Sequence, residues 1–162
     1  MRASDEALAL GHRRIRPEHI LLALLRTRDA VTDLVLAGLG IDPESLVARL
    51  LDAMSRAGHR AEDGPDLAFT RRGWAIVEGA IGEAQALRHP MVYPEHLLAA
   101  IVAQGQSVGA QLLIEFGGAA PRVRAATAAV IPQAQRSGAR QARRWTWIEP
   151  RGTTEGPDAP ER

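Results

Sequence analysis

"RPEHILLALL", residues 16–25, returns as "YPEHLLAAIV", residues 93–102, and this doubling governs how the rest of the chain reads. The two stretches lie 77 residues apart, and the match continues on both sides without a gap. Ala3 falls on Ala80, Glu6 on Glu83, Leu10 on Leu87 and His12 on His89. Pro17, Glu18 and His19 fall on Pro94, Glu95 and His96; Leu36 meets Leu113 and Gly40 meets Gly117. Ile15/Val92, Ile20/Leu97, Leu24/Ile101 and Leu39/Phe116 keep their apolar character. The period is too long for a solenoid unit and indicates one duplicated, bundle-forming unit.

Each copy reads as four short helices. In the second copy Thr70 is placed to cap a helix. Trp74, Val77, Ile81, Ala84 and Leu87 follow at helical spacing as its apolar face. The next helix opens at Pro94, where a missing N–H is harmless, with Glu95 in a first turn that favours a carboxylate. A third covers about 108–116 and stops at Gly117-Gly118. A fourth runs from about Ala120 to Ile131 and ends at Pro132. The first copy repeats the scheme over 17–28, 30–39 with Gly40 as the stop, and 43–56. The expected organisation is a first repeat at 1–57 with its opening helix truncated, a linking loop at 58–69, a second repeat at 70–131 and a tail at 132–162. The counterpart of residues 66–78 falls almost wholly before Met1, so the first opening helix is expected to lack roughly its first ten residues.

The 162 residues suffice for one domain or two very small ones. The chain is 46% hydrophobic but only 4% aromatic, so its core must be built from Leu, Ile, Val and Ala. With no cysteine there are no disulfides, thiol nucleophiles or Cys-type zinc sites. No run of apolar residues is long enough to span a membrane, and the N-terminus does not read as a signal peptide. The expectation is a cytoplasmic protein. A net charge of +1 argues against a dedicated nucleic-acid binder. Every basic residue is arginine, which excludes Schiff-base chemistry and a phosphate-loop lysine. The tail carries Arg136, Arg140, Arg143 and Arg144 with Trp145 and Trp147, then Pro, Gly and charge. It reads as a disordered extension; the alternative is a nucleic-acid-binding regulator that uses these arginines and tryptophans by charge and stacking.

The doubled "EALALGHRRIRPEHILLALL" and "RHPMVYPEHLLAAIV", with "LAGLG" and "FTRRG", resemble the Clp N-terminal (Clp repeat) domain, with the greatest likeness to that of ClpC-type AAA+ unfoldases. The resemblance covers residues 1 to about 131. It implies an all-α fold, a double Clp repeat of two pseudo-twofold four-helix units packed into one bundle. It implies a non-enzymatic module that receives adaptor or substrate proteins for Clp protease components, with no cofactor and no metal. Small hydrophobic ligands between the repeats also fall within what it implies. Each repeat of such domains can hold a phosphorylated arginine, with the glutamate of the Glu-His pair on the guanidinium. That glutamate is Glu18 in one copy and Glu95 in the other. Thr70 and Arg72, at the opening of a repeat's first helix, are expected to hold the phosphate beside Glu95. Glu18 is expected to lack such partners, since theirs would precede Met1. The family usually has Thr before Glu-His; Pro17 and Pro94 stand here, removing a hydroxyl and an N–H each. No ATPase phosphate loop accompanies the repeats, so the reading is of the N-domain by itself.

Other chemistry is poorly supported. His19 and His96 follow glutamates but not as H-E-x-x-H, and read as structural, hydrogen-bonded histidines. His12 and His89 end their helices, where a cation suits the dipole. Arg13, Arg14 and Arg16 precede an almost wholly apolar helix, a poor recognition helix for DNA. No serine shows a nucleophile-elbow pattern.

Overall fold

The computed structural model describes residues 3–56 and 67–136, with side chains described as far as Ile131. Its elements are α1 (Ala3–Ala9), β1 (Arg14–Ile15), α2 (Pro17–Thr27), α3 (Ala30–Leu39) and α4 (Pro43–Arg56), then β2 (Ala68–Phe69), α5 (Arg71–Ala86), α6 (Pro94–Gln104), α7 (Val108–Glu115) and α8 (Ala120–Arg136). The fold is all-α in two matched sets of four helices.

Burial follows composition. Pro17 to Leu25 of α2 and Pro94 to Val102 of α6 are buried at every position, as helices apolar on all sides must be. These two helices touch at the centre, and the others wrap them. α4 is amphipathic instead: Leu46, Leu50 and Met54 point inward while Ala48, Arg49, Asp52 and Arg56 face solvent. The repeats interlock rather than sit side by side. α3 packs on α8 of the other repeat and α4 on α7, so residues of both repeats form one core.

Local chemistry sets the helix ends. The Asp29 carboxylate accepts from the Val31 and Thr32 N–H groups at 3.0 and 3.2 Å. Ser107 accepts from Ala110 N–H at 3.1 Å, and Thr70 accepts from Gly73 N–H at 3.0 Å, so Thr70 caps as its position indicated. α3 stops at Gly40 and α7 at Gly117, whose φ values of 72° and 93° lie in the left-handed region.

Three features differ from the sequence reading. The α5 face is shifted: Gly73, Ile76, Val77, Ala80 and Ala84 are buried, while Trp74 and Ile81 are 46% and 43% exposed. Only part of that face meets α6, where Gly79 lets the two helices approach closely, and Trp74 rests edge-on against Phe69. α8 does not end at Pro132 but continues to Arg136; an interior proline removes one backbone hydrogen bond and does not always end the helix. The segment before α5, read wholly as loop, contains β2, which pairs in parallel with β1. Residues 57–66 of the linking loop and 137–162 of the tail lie outside the described residues. Among the described residues no single helix is long and apolar enough to cross a membrane.

Candidate functional site

The two-residue bridge positions the site. Thr70 donates to the Ile15 carbonyl through its N–H at 2.9 Å and through its hydroxyl at 3.2 Å. Gly73 allows that approach, since a Cβ there would lie 2.4 Å from the Ile15 oxygen. The start of α5 is thereby held against the chain that leads into α2, although the two are 55 residues apart in sequence.

A groove of about 460 Å³ results, lined by Arg16, Glu18, Thr70, Arg71, Arg72 and Ser107 among others. Glu18 follows Pro17 in the first turn of α2 and is buried; its Oε1 accepts from the Gly109 N–H at 3.4 Å. That N–H belongs to the first turn of α7, so the carboxylate sits where a helix N-terminus favours negative charge. Three arginines and the N-terminus of α5 face the same space. The combination offers a carboxylate for a cationic group next to cations and N–H donors for an anionic one. Residues of both repeats are needed to build it.

This corrects the expected pairing. Thr70 and Arg72 were placed beside Glu95 by repeat membership; the structure brings them to Glu18, because the β1–β2 bridge joins the start of one repeat to the Glu-His pair of the other. Glu18 therefore does not lack partners. Glu95, 1% exposed in the first turn of α6, lines a second groove between α5, α6 and α8 that includes neither Thr70 nor Arg72. There Glu83 is held by Arg124, whose Nε lies 3.1 Å from both carboxylate oxygens.

Each Glu-His pair rests on a histidine dyad that the sequence reading missed. His19 Nδ1 accepts from the Arg16 backbone N–H at 2.9 Å, so its proton sits on Nε2 and is donated to His12 Nδ1 at 2.8 Å. The second repeat does the same through Tyr93 N–H, His96 and His89, at 2.8 and 2.7 Å. A histidine here plays the part that Glu or Gln plays in a capping box. Burial, then the neighbouring His12 and Arg16, lower the His19 pKa to about 4. His12 is thus an acceptor through Nδ1 within the dyad. The spacing His-x6-His, present in both copies, was the signal available in the sequence.

His89, Glu95 and His96 bring three potential ligand atoms within 4.8 Å of one another. Both ring nitrogens of His96 are already committed, and a metal ion would have to displace the proton shared with His89. The arrangement serves the dyad better than it serves a cation.

Among the described residues the chain is a helical double repeat with a composite groove that residues of both repeats line. The chain belongs to the Clp repeat (R) N-terminal domain family, whose model matches residues 1–73 and again 68–144. It is 33% identical over 115 residues to the negative regulator of genetic competence ClpC/MecB of Bacillus subtilis, covering 71% of this chain and 14% of that protein. It is 30% identical over 116 residues to the chaperone protein ClpB of Oceanobacillus iheyensis, covering 71% of this chain and 14% of that protein. It is 28% identical over 110 residues to the ATP-dependent Clp protease ATP-binding subunit ClpC of Staphylococcus epidermidis, covering 68% of this chain and 13% of that one. The chain thus spans about a seventh of the length of these curated relatives, 14% of the first.

Proposed function

We propose that this domain is a non-enzymatic receiving module of the Clp system that binds adaptor or substrate proteins through the groove between β1–α2 and the start of α5. The observation that carries this reading is the meeting of Glu18 with Thr70, Arg71 and Arg72 across the two repeats. A phosphorylated arginine side chain fits that chemistry. Its guanidinium pairs with the Glu18 carboxylate in charge-assisted hydrogen bonds. Its phosphate takes Arg72 and the N-terminus of α5, while the Thr70 hydroxyl proton stays with the Ile15 carbonyl. Pro17, in place of the family's usual threonine, leaves Glu18 and the arginines as the main recognition elements.

A degradation assay tests the role. A ClpC-type unfoldase with its peptidase is given an arginine-phosphorylated substrate, with and without a molar excess of this protein. Slower degradation identifies a competitor for cargo and faster degradation a deliverer of it. A rate unchanged at every excess refutes a role in receiving such substrates.

A further inference from the structure

The strand that leads into α2 carries an arginine that the groove chemistry has not yet used. β1 pairs in parallel with β2, Arg14 opposite Ala68 and Ile15 opposite Phe69. Arg16 follows with φ of -102° and ψ of 166°, so the chain is still extended there. Successive side chains of an extended chain point to opposite sides. Ile15 is buried in the core, so Arg14 and Arg16 share the outer side. Arg16 and Thr70 line the Glu18 groove. Arg14 stands on that same side one step further along, next to the small side chain of Ala68. It is exposed and makes no ion pair among the described residues.

The charge around the groove is one-sided. Arg16, Arg71 and Arg72 line it with a single acid, Glu18. A guanidinium received by Glu18 uses up that acid. A phosphate, with a charge of about -1.5 to -2, balances at most two of the arginines. The surroundings stay positive, and Arg14 extends that positive surface along β1. Arg14 and Arg16 are two residues apart on their own extended strand. An extended ligand advances by the same step of about 3.3 Å per residue, so a side chain about two positions from the anchored arginine comes level with Arg14.

Resting on the phosphoarginine reading of this groove, we propose that it selects modified arginines set in acidic sequence. Arg14 is the specificity-determining residue, pairing with an aspartate or glutamate about two positions from the modified arginine.

The test is a fluorescence-polarisation titration of the full chain, at low salt, with short peptides carrying one central phosphoarginine. One peptide has neutral neighbours; the others have aspartate at the second position before or after the modified residue. The acid on the Arg14 side should tighten binding about threefold, the worth of an exposed ion pair. Arg14→Ala should remove that gain, and Arg14→Glu should turn it into a preference for arginine at the same position. Arg13→Ala removes an equally exposed charge that is out of phase with Arg14 and Arg16, and should leave the gain in place. A gain that survives Arg14→Ala, a gain lost equally in Arg13→Ala, or equal affinities for the three peptides would overturn the proposal while leaving the groove's receipt of phosphoarginine intact. A wild type that binds none of the three would overturn that receipt as well.

Discussion

Acidification tests the histidine dyads with a magnitude that follows from the structure. His19 is fully buried, with Nδ1 occupied by the Arg16 N–H and the Nε2 proton committed to His12. A second proton could enter only at Nδ1, where it would face that N–H. The folded-state pKa of His19 is accordingly lowered from 6.5 to about 4. A histidine depressed in this way stabilises the fold fully above pH 6.5, the value from which it is lowered, and loses that contribution as pH falls toward 4. At about 1.4 kcal/mol per pKa unit, the loss between pH 7 and pH 4 is roughly 3 kcal/mol, a large part of a typical domain's stability of about 5–15 kcal/mol. Urea unfolding of wild type and His19→Gln at pH 7, 5.5 and 4 isolates it. Gln is the natural occupant of the N3 position of a capping box, so the variant retains an acceptor for Arg16 N–H while removing the titration. The carboxylates common to both proteins cancel in the difference. The stability gap between the two should change by about 3 kcal/mol in favour of the variant between pH 7 and pH 4. Parallel pH profiles would refute the assignment of protons within the dyad.

Two glycines of α5 should respond with opposite sign. Gly73→Ala forces a Cβ to within 2.4 Å of a backbone oxygen and should cost about 1–3 kcal/mol, with faster hydrogen exchange at the Thr70 amide. Gly82→Ala meets open space and should gain about 0.5–1 kcal/mol from helix propensity; thermal unfolding of both variants checks the contrast. Arg26→Ala leaves the fully buried Glu6 carboxylate without the guanidinium that lies 2.7 Å from it. Burial already raises the Glu6 pKa, and a carboxyl raised in the folded state loses stability as pH rises. The variant should therefore lose about 3 kcal/mol at pH 7 and clearly less at pH 5; an equal loss at both would contradict the pairing.

The repeat, the helix openings at Pro17, Pro94 and Thr70 and the glycine stops were legible in the sequence because each is a local signal. A proline without an N–H, a hydroxyl in reach of the first turn and a glycine with positive φ act within a few residues. What joins distant residues was not legible. The β1–β2 bridge is two residues long, too short for an alternating pattern, yet it decides which glutamate meets Thr70 and Arg72. Assigning partners by repeat membership failed for that reason: the repeats exchange contacts, as α3 with α8 and α4 with α7 also do. Helical spacing alone put Trp74 and Ile81 on the buried face, whereas Gly73, Ile76 and Ala80 face inward and Gly79 lies close to Ala100 of α6. The second groove is visible only by comparing packing between copies, at Leu22 against Ala99 and Leu50 against Thr127.

The most direct test of the account is calorimetric titration with an arginine-phosphorylated peptide and its unmodified twin, on wild type, Glu18→Ala, Arg72→Ala and Glu95→Ala. The composite groove predicts binding that needs the phosphate, is lost in Glu18→Ala and Arg72→Ala, and survives in Glu95→Ala. Loss through Glu95→Ala with Glu18→Ala unaffected, or no binding by the wild type, would contradict it.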